Sequence, residues 1–338
     1  MKNHNLNKIL IIQTASIGDV VLATPVIEKM HFFFPEANIH FLVKKGIEPL
    51  LAGHPKINKL LVWDKSSKKY RRLYDLIKLL REEKYDAVIN LQRFASTGLI
   101  TMLSGAPIRL GFKKNPFSPF FTKAVPHQIS SNPANSEHEV HRNLRVIDLI
   151  TDTSRNHTVK LYPSNADFAK VSQFKTRQFI TIAPTSLWFT KQFPAEKWIE
   201  FVKKTDKNLM IYYLGSKNDK KIVEKIIQES AHPLSMNLCG KLTFLESAAL
   251  MKDALMNFVN DSAPLHFASA MNAPVTSVFC STVPAFGFGP LSENSSVVET
   301  DEDLPCRPCG LHGYNACPEK HFKCAYSIST DKLLARIP

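Results

Sequence analysis

Short apolar runs alternate with longer amphipathic stretches along most of this chain. KILIIQ (8–13), NIHFLV (38–43), KLLVW (59–63) and DAVINLQ (86–92) are apolar runs bounded by turn residues, the pattern of buried strands. Between them, PVIEKMHFFF from Pro25 and YRRLYDLIKLLREEK (70–84) have helical spacing, the second with Leu73, Leu76, Ile77 and Leu80 on one face. Thr24 followed by Pro25 reads as an N-cap and first helical residue. Residues 111–136 are rich in Pro, Ser and Asn and read as a loop, followed by a helix over 137–150 and a polar linker at 151–157. The alternation then restarts with RQFITIAP (177–184), NLMIYYLG (208–215), ALMNFVN (254–260) and PVTSVFC (274–280), separated by helical stretches near 195–204, 217–230, 243–252 and 263–271. Strand–helix alternation implies an α/β fold with parallel sheets. Two domains are expected, 1–157 and 158–338.

A length of 338 residues suits two domains at about 150 residues each. With 44% hydrophobic and 22% charged residues, the chain can bury two cores, which excludes a disordered protein. No apolar run approaches the roughly 20 residues that span a bilayer. ILII before Gln13 is too short for a secretory core, so a cytoplasmic location is expected. The net charge of +13 points to an anionic partner, against the plain alternative of a solvated basic surface. No zinc-finger spacing, RNP-like strand or base-reading helix accompanies the charge, so nucleic acid is not the expected partner.

In open parallel sheets, ligands bind at the carboxyl ends of strands, which makes each post-strand loop a candidate site. TASIGD (14–19) contains Ser16, Gly18 and Asp19 but neither G-x-G-x-x-G nor a Walker lysine. An aspartate there repels a phosphate, although it suits the first turn of a helix. APTSLWFTKQFP (183–194) offers Thr185, Ser186, Thr190 and Lys191, hydroxyls and an ammonium suited to a diphosphate. In VNDSAPLHFASA (259–270), Asp261 or Ser262 can cap a helix whose N–H groups face an anion, with His266 in its first turn. LGSKND (214–219) is a nucleotide-edge candidate through Gly215 and Asp219.

S-x-G-D-x-x-x-x-x-P near the start, T-K-x-F-P in the middle and D-S-x-x-x-H near the end resemble glycosyltransferase family 9, the bacterial heptosyltransferases of lipopolysaccharide core assembly. The likeness covers nearly the whole chain, with the motifs in order. It implies a GT-B fold: two Rossmann-like domains facing across a cleft, the first binding the acceptor and the second a nucleotide-sugar donor. It implies an inverting, metal-independent transfer, with ADP-heptose as donor and a lipid-linked glycan as acceptor. By resemblance Asp19 is the general base, which explains a carboxylate where phosphate binding would forbid one. Lys191 joins it as a catalytic residue, with Thr190 at the donor diphosphate and Asp261, Ser262 and His266 in the second donor-side motif. No D-x-D motif directly follows any of the eight apolar runs read as strands, and no cofactor is expected.

Three departures bear on this. Ala263 stands where the family has Gly, Thr282 follows Cys280-Ser281 in place of a Gly turn, and Lys217 occupies ground where an acidic residue can hold the ribose. The alternatives are another nucleotide sugar or glycan acceptor, and a binding protein without turnover.

Cys306, Cys309, Cys317 and Cys324 are spaced C-x2-C-x7-C-x6-C, which in a cytosolic protein suits a structural zinc or reduced thiols. HFFF (31–34) cannot place every ring in one core. Phe117, Phe120 and Phe121 beside Lys113 and Lys114 suggest a patch that rests on an anionic membrane, or ordinary loop packing. A peripheral location at the cytoplasmic face of the inner membrane follows from the first of these.

Overall fold

A computed structural model describes residues 5–66 and 69–338. The chain parts into two compact units, Met1–Ile129 with Glu139–Tyr162, and Ser130–His138 with Pro163–Pro338. Among the described residues each holds a six-stranded parallel sheet flanked by helices, the α/β architecture the alternation predicts.

In the first unit the order is β1 (Lys8–Ile12), α1 (Ile17–Phe33), β2 (Asn38–Lys44), β3 (Lys59–Trp63), α2 (Lys69–Glu82), β4 (Ala87–Asn90), α3 (Ala95–Leu103), β5 (Ile108–Phe112), β6 (Lys123–Val125) and α4 (Glu139–Arg145). The strands lie side by side as β3-β2-β1-β4-β5-β6. Pairing of Ile12 with both Leu42 and Asn90 sets β1 at the centre, and Leu10, Leu42, Trp63, Leu76 and Val88 pack in the core beside it.

Helix α1 begins eight residues before Pro25, where the sequence suggested a start. Proline in a helix leaves the carbonyl four residues back without its donor. Here that carbonyl is Val21's, and the Thr24 hydroxyl donates to it at 2.7 Å, so the helix continues through Pro25. The helix is buried on nearly all sides, and even Lys29 is fully buried. Its ammonium donates to the carbonyls of Asp152 and Ser154 and pairs with the Asp152 carboxylate at 2.8 Å. That requirement draws the polar stretch 151–157 onto the first unit. Phe32, at the end of α1, is 72% exposed, as the crowding of HFFF requires.

The expected loop over 111–136 contains the end of β5 and all of β6. Gly111 in β5 makes room for the Phe121 ring, since a Cβ there would lie 2.6 Å from Phe121 Cε2. Phe121 is therefore buried, a correction to the surface patch that included it.

The second unit runs α5 (Asn165–Ser172), β7 (Phe179–Ala183), α6 (Ala195–Lys204), β8 (Met210–Tyr213), α7 (Lys220–Ser230), β9 (Ser235–Asn237), α8 (Phe244–Met251), β10 (Asn257–Asn260), α9 (Ala263–Ala270), β11 (Val275–Phe279) and β12 (Ser295–Glu299), closing with α10 (Lys323–Tyr326) and α11 (Asp331–Leu334). Its strand order is β12-β11-β10-β7-β8-β9. Trp198, Phe201 and Phe258 form its aromatic centre, with rings 4.8–6.0 Å apart. No helix among the described residues is long and apolar enough to cross a membrane.

Candidate functional site

Both sheets present their candidate residues on loops that leave the carboxyl ends of strands, and the two sets are described unit by unit. In the first unit the loop after β1 turns directly into α1. Asp19 is the third residue of that helix and accepts from the Ser16 backbone N–H at 2.6 Å and from the Ser16 hydroxyl at 2.8 Å. Both bonds favour the charged carboxylate, yet burial outweighs them, and the proton affinity of Asp19 is raised above the ordinary aspartate value. Glu139 pushes in the same direction as burial and Arg93 opposes it. The half-buried carboxylate thus closes a capping box with Ser16 and also carries a raised proton affinity, the chemistry that a general base can use.

The turn is held by its neighbour after β4. Thr14 Oγ1 donates to Gln92 Oε1 at 2.7 Å, and Gln92 Nε2 reaches the Ala15 carbonyl at 3.4 Å. Gly18 is buried behind the turn and Ser16 is exposed at its rim. Glu139 is itself buried, bonded by His127 Nε2 at 3.1 Å and by Arg142 Nε at 2.7 Å. These partners hold its carboxyl below the usual glutamate range against the cost of burial.

In the second unit the loops after β7, β10 and β11 meet. Lys191 Nζ lies 2.7 Å from Asp261 Oδ2, and the Thr282 hydroxyl donates to the same oxygen at 2.6 Å. Thr190 is buried beneath Lys191; its Oγ1 accepts from Ser281 at 3.0 Å and from the Tyr314 N–H at 2.8 Å. Asn260 fixes the loop's far end by accepting from the Phe193 N–H at 2.9 Å. Ser262 is the N-cap of α9 and makes no side-chain cap bond. Buried His266 is pushed down to about 3 by burial, with Asp261 opposing, so the ring is neutral; its Nδ1 has no partner among the described residues. Thr185 and Ser186 are half-buried near the start of the β7 loop, where Gln192 Nε2 donates to the Ser186 carbonyl at 2.7 Å.

Gly215 lies just after β8, apart from the Lys191 cluster in sequence but on the same sheet edge. A Cβ there would stand 3.0 Å from Asp219 Oδ2 and Cys239 Sγ, so the site is tightly packed against glycine. Asp219 is engaged in capping, accepting from the Ser216 N–H at 2.7 Å and its hydroxyl at 2.6 Å. Lys217 lies over Gly240, which has φ +70° and no room for a side chain.

Several residues of this region carry no local sequence signal. Arg307 donates to the carbonyls of Cys280 at 2.8 Å and Thr282 at 2.9 Å, and pairs with Glu299, so it shapes the turn that carries Thr282. Gly313, at φ +77°, packs against Thr190 and Lys191. The cysteine cluster therefore belongs to a segment that buttresses the loops after β7 and β11. Its four cysteines are free, Cys324 buried and the others half-buried. Burial and neighbouring thiols push the Cys324 thiol up to about 12. Among the described residues no three His, Cys, Asp or Glu side chains are grouped to hold a metal ion.

The profile of glycosyltransferase family 9 (heptosyltransferase) matches residues 73–313, more than half of the chain. The chain belongs to glycosyltransferase family 9. It is 30% identical over 296 residues to a lipopolysaccharide heptosyltransferase 3 of Escherichia coli, covering 82% of this chain and 84% of that one. Two solved structures share the fold. A family 9 glycosyltransferase of Veillonella parvula aligns with a TM-score of 0.80 at 21% identity, over 98% of this chain and 97% of that one. The E. coli ADP-heptose lipopolysaccharide heptosyltransferase II aligns with a TM-score of 0.77 at 19% identity, over 97% of each. The two Rossmann-like sheets are thus those of a GT-B glycosyltransferase, and this family 9 member is an enzyme of the heptosyltransferase family of lipopolysaccharide core biosynthesis.

Proposed function

We propose that this enzyme transfers heptose from ADP-heptose to a lipid-linked lipopolysaccharide core acceptor with inversion, Asp19 serving as general base. The observation that carries this reading is a carboxylate, Asp19, held by Ser16 in the loop at a strand's carboxyl end, with its proton affinity raised by burial. The first unit would hold the acceptor and the second the donor, with Ser16 and Gly18 shaping the base's turn.

The step balances with one base and one leaving group. Asp19 takes the proton of the acceptor hydroxyl as its oxygen bonds to the anomeric carbon. The bond from that carbon to the diphosphate breaks, and its electron pair leaves with the nucleoside diphosphate. Lys191 and the start of α9, with Thr190, Ser262 and Thr282, stabilise the charge that develops there. Asp261 holds Lys191 and Thr282 in place, a role that suits a carboxylate near a diphosphate better than contact with it. His266, neutral, can offer a hydrogen bond to phosphate or sugar. Thr185, Ser186 and Gly215 line the remaining donor side. The acceptor's lipid places the enzyme at the cytoplasmic face of the inner membrane as a peripheral protein.

A different nucleotide sugar is the second reading, favoured by Lys217 over Gly240 where an acidic group would meet the ribose. Incubation of the enzyme with ADP-heptose and a core acceptor, followed by NMR of the new linkage, tests both. An inverted anomeric centre from ADP-heptose is expected; turnover with another nucleotide sugar alone, or retained configuration, would reject the first reading.

A further inference from the structure

From Asp86 to Glu137 the chain has no acidic residue between those two, while Arg93, Arg109, Lys113, Lys114 and Lys123 fall within the interval. This segment supplies the loops after β4 and β5. Phe94, in the first, is 58% exposed, and Phe120, in the second, is 56% exposed. Pro116 and Pro119 are also exposed, and Phe117 is half-buried.

The two loops are built as one platform. Asn115, buried, donates from Nδ2 to the carbonyls of Gln92 and Phe94, both at 3.1 Å, and accepts from the Phe117 N–H at 3.0 Å. Gly98 leaves space for it, since a Cβ there would lie 2.0 Å from Asn115 Oδ1. Arg109 Nε donates to the Phe120 carbonyl at 3.0 Å, and Phe121 turns inward over Gly111. With that ring anchored, Phe120 stays outside. Lys113, Lys114 and Lys123 are exposed and form no ion pair among the described residues.

The platform adjoins the Asp19 turn. Strand β4 lies between β1 and β5, so the three post-strand loops are neighbours on one sheet edge. Gln92, two residues before Phe94, bonds to Thr14 and to the Ala15 carbonyl. Exposed aromatic rings fixed among unpaired cations and free of acids complement an anionic lipid surface, where rings enter the interface and lysines meet headgroups.

We propose that Phe94, Phe117 and Phe120 with Lys113 and Lys114 form a docking surface for an anionic bilayer, which presents the lipid-linked acceptor beside Asp19. This deepens the transfer reading above and rests on it.

The test is partitioning of the full-length protein onto phosphatidylcholine vesicles with and without phosphatidylglycerol. Binding is expected to require phosphatidylglycerol and to fall with salt. Lys113→Gln/Lys114→Gln, surface changes that leave the fold intact, should weaken it roughly 30-fold, taking about a fivefold loss for each lysine at an anionic surface. Phe94→Ser/Phe120→Ser should weaken it at least about tenfold, with ADP affinity and melting temperature unchanged. With vesicle-embedded acceptor both variants should raise KM while kcat holds. Unaltered partitioning of both variants, equal binding to neutral vesicles, or loss of a protein dimer in place of vesicle binding would overturn the docking surface. The transfer reading fails by a different result, normal turnover of Asp19→Asn with vesicle binding intact.

Discussion

Replacing Lys191 by alanine removes one charge from a pair whose atoms are 2.7 Å apart and whose side chains are mostly buried, Lys191 16% and Asp261 8% exposed. Breaking a fully buried ion pair by deleting one partner typically costs 3–5 kcal/mol, because the other charge is stranded. Asp261 keeps the Thr282 hydroxyl at 2.6 Å, and Lys191 is not wholly dry, so the expected loss is smaller, about 1–3 kcal/mol. The same ammonium is assigned to the donor diphosphate. A charge-assisted hydrogen bond contributes about 1.5–3 kcal/mol, which corresponds to a loss of roughly 10- to 150-fold in ADP affinity. Urea unfolding and calorimetric titration with ADP measure the two effects on one preparation. Lys191→Ala/Asp261→Asn separates them: removing the stranded charge should recover most of the stability and none of the affinity. If ADP binds Lys191→Ala as tightly as it binds the parent, the donor assignment of this loop is wrong.

Other expectations follow from the same structure. Asp19 must be ionised to act as a base, so turnover should rise with pH through a midpoint above the ordinary aspartate value, measured with donor and acceptor saturating. A carboxyl whose folded proton affinity is raised gives stability at pH below its unfolded value and loses it as pH rises through the folded value. Asp19→Asn should therefore melt no lower than the parent at neutral pH, as scanning calorimetry can check. Glu139 has the opposite sign: its contribution is present above the unfolded value and is lost as pH falls through the lowered folded one, and Glu139→Gln should cost about 3–5 kcal/mol in urea unfolding. Gly240→Ala, at φ +70° against Lys217, should cost at least about 1 kcal/mol by the same assay. In thiol titration, Cys239, Cys280 and Cys324 should react only after unfolding, while Cys306, Cys309 and Cys317 react in the native protein.

Most strands legible from sequence were those buried on both faces; β3, an edge strand, was legible through its apolar run KLLVW. β1, β2, β4, β7, β8, β10 and β11 are continuous apolar runs because helices cover them. β6, β9 and β12 are edge strands; SMN in β9 is not buried at any position and has no run to read. β5 was hidden by Arg109 and by Gly111, whose missing side chain admits Phe121. Pro25 misled because a proline usually marks a helix start, and only the Thr24–Val21 bond makes it tolerable inside α1. The motif residues Asp19, Lys191 and Asp261 stood out as polar groups in post-strand loops. Arg307, Asn260 and the triangle of Lys191, Asp261 and Thr282 did not, because their bonds join residues far apart in the chain and leave no local pattern.

The most direct test of the central claim is Asp19→Asn, with ADP affinity by calorimetry and transfer rate measured on the same preparation. Asparagine keeps an acceptor for Ser16 and lacks the ability to take the proton. The account predicts unchanged ADP affinity with transfer slowed about 10²–10⁴-fold, the usual contribution of a general base. Parent-like turnover would contradict it and leave Asp19 as a helix-capping residue.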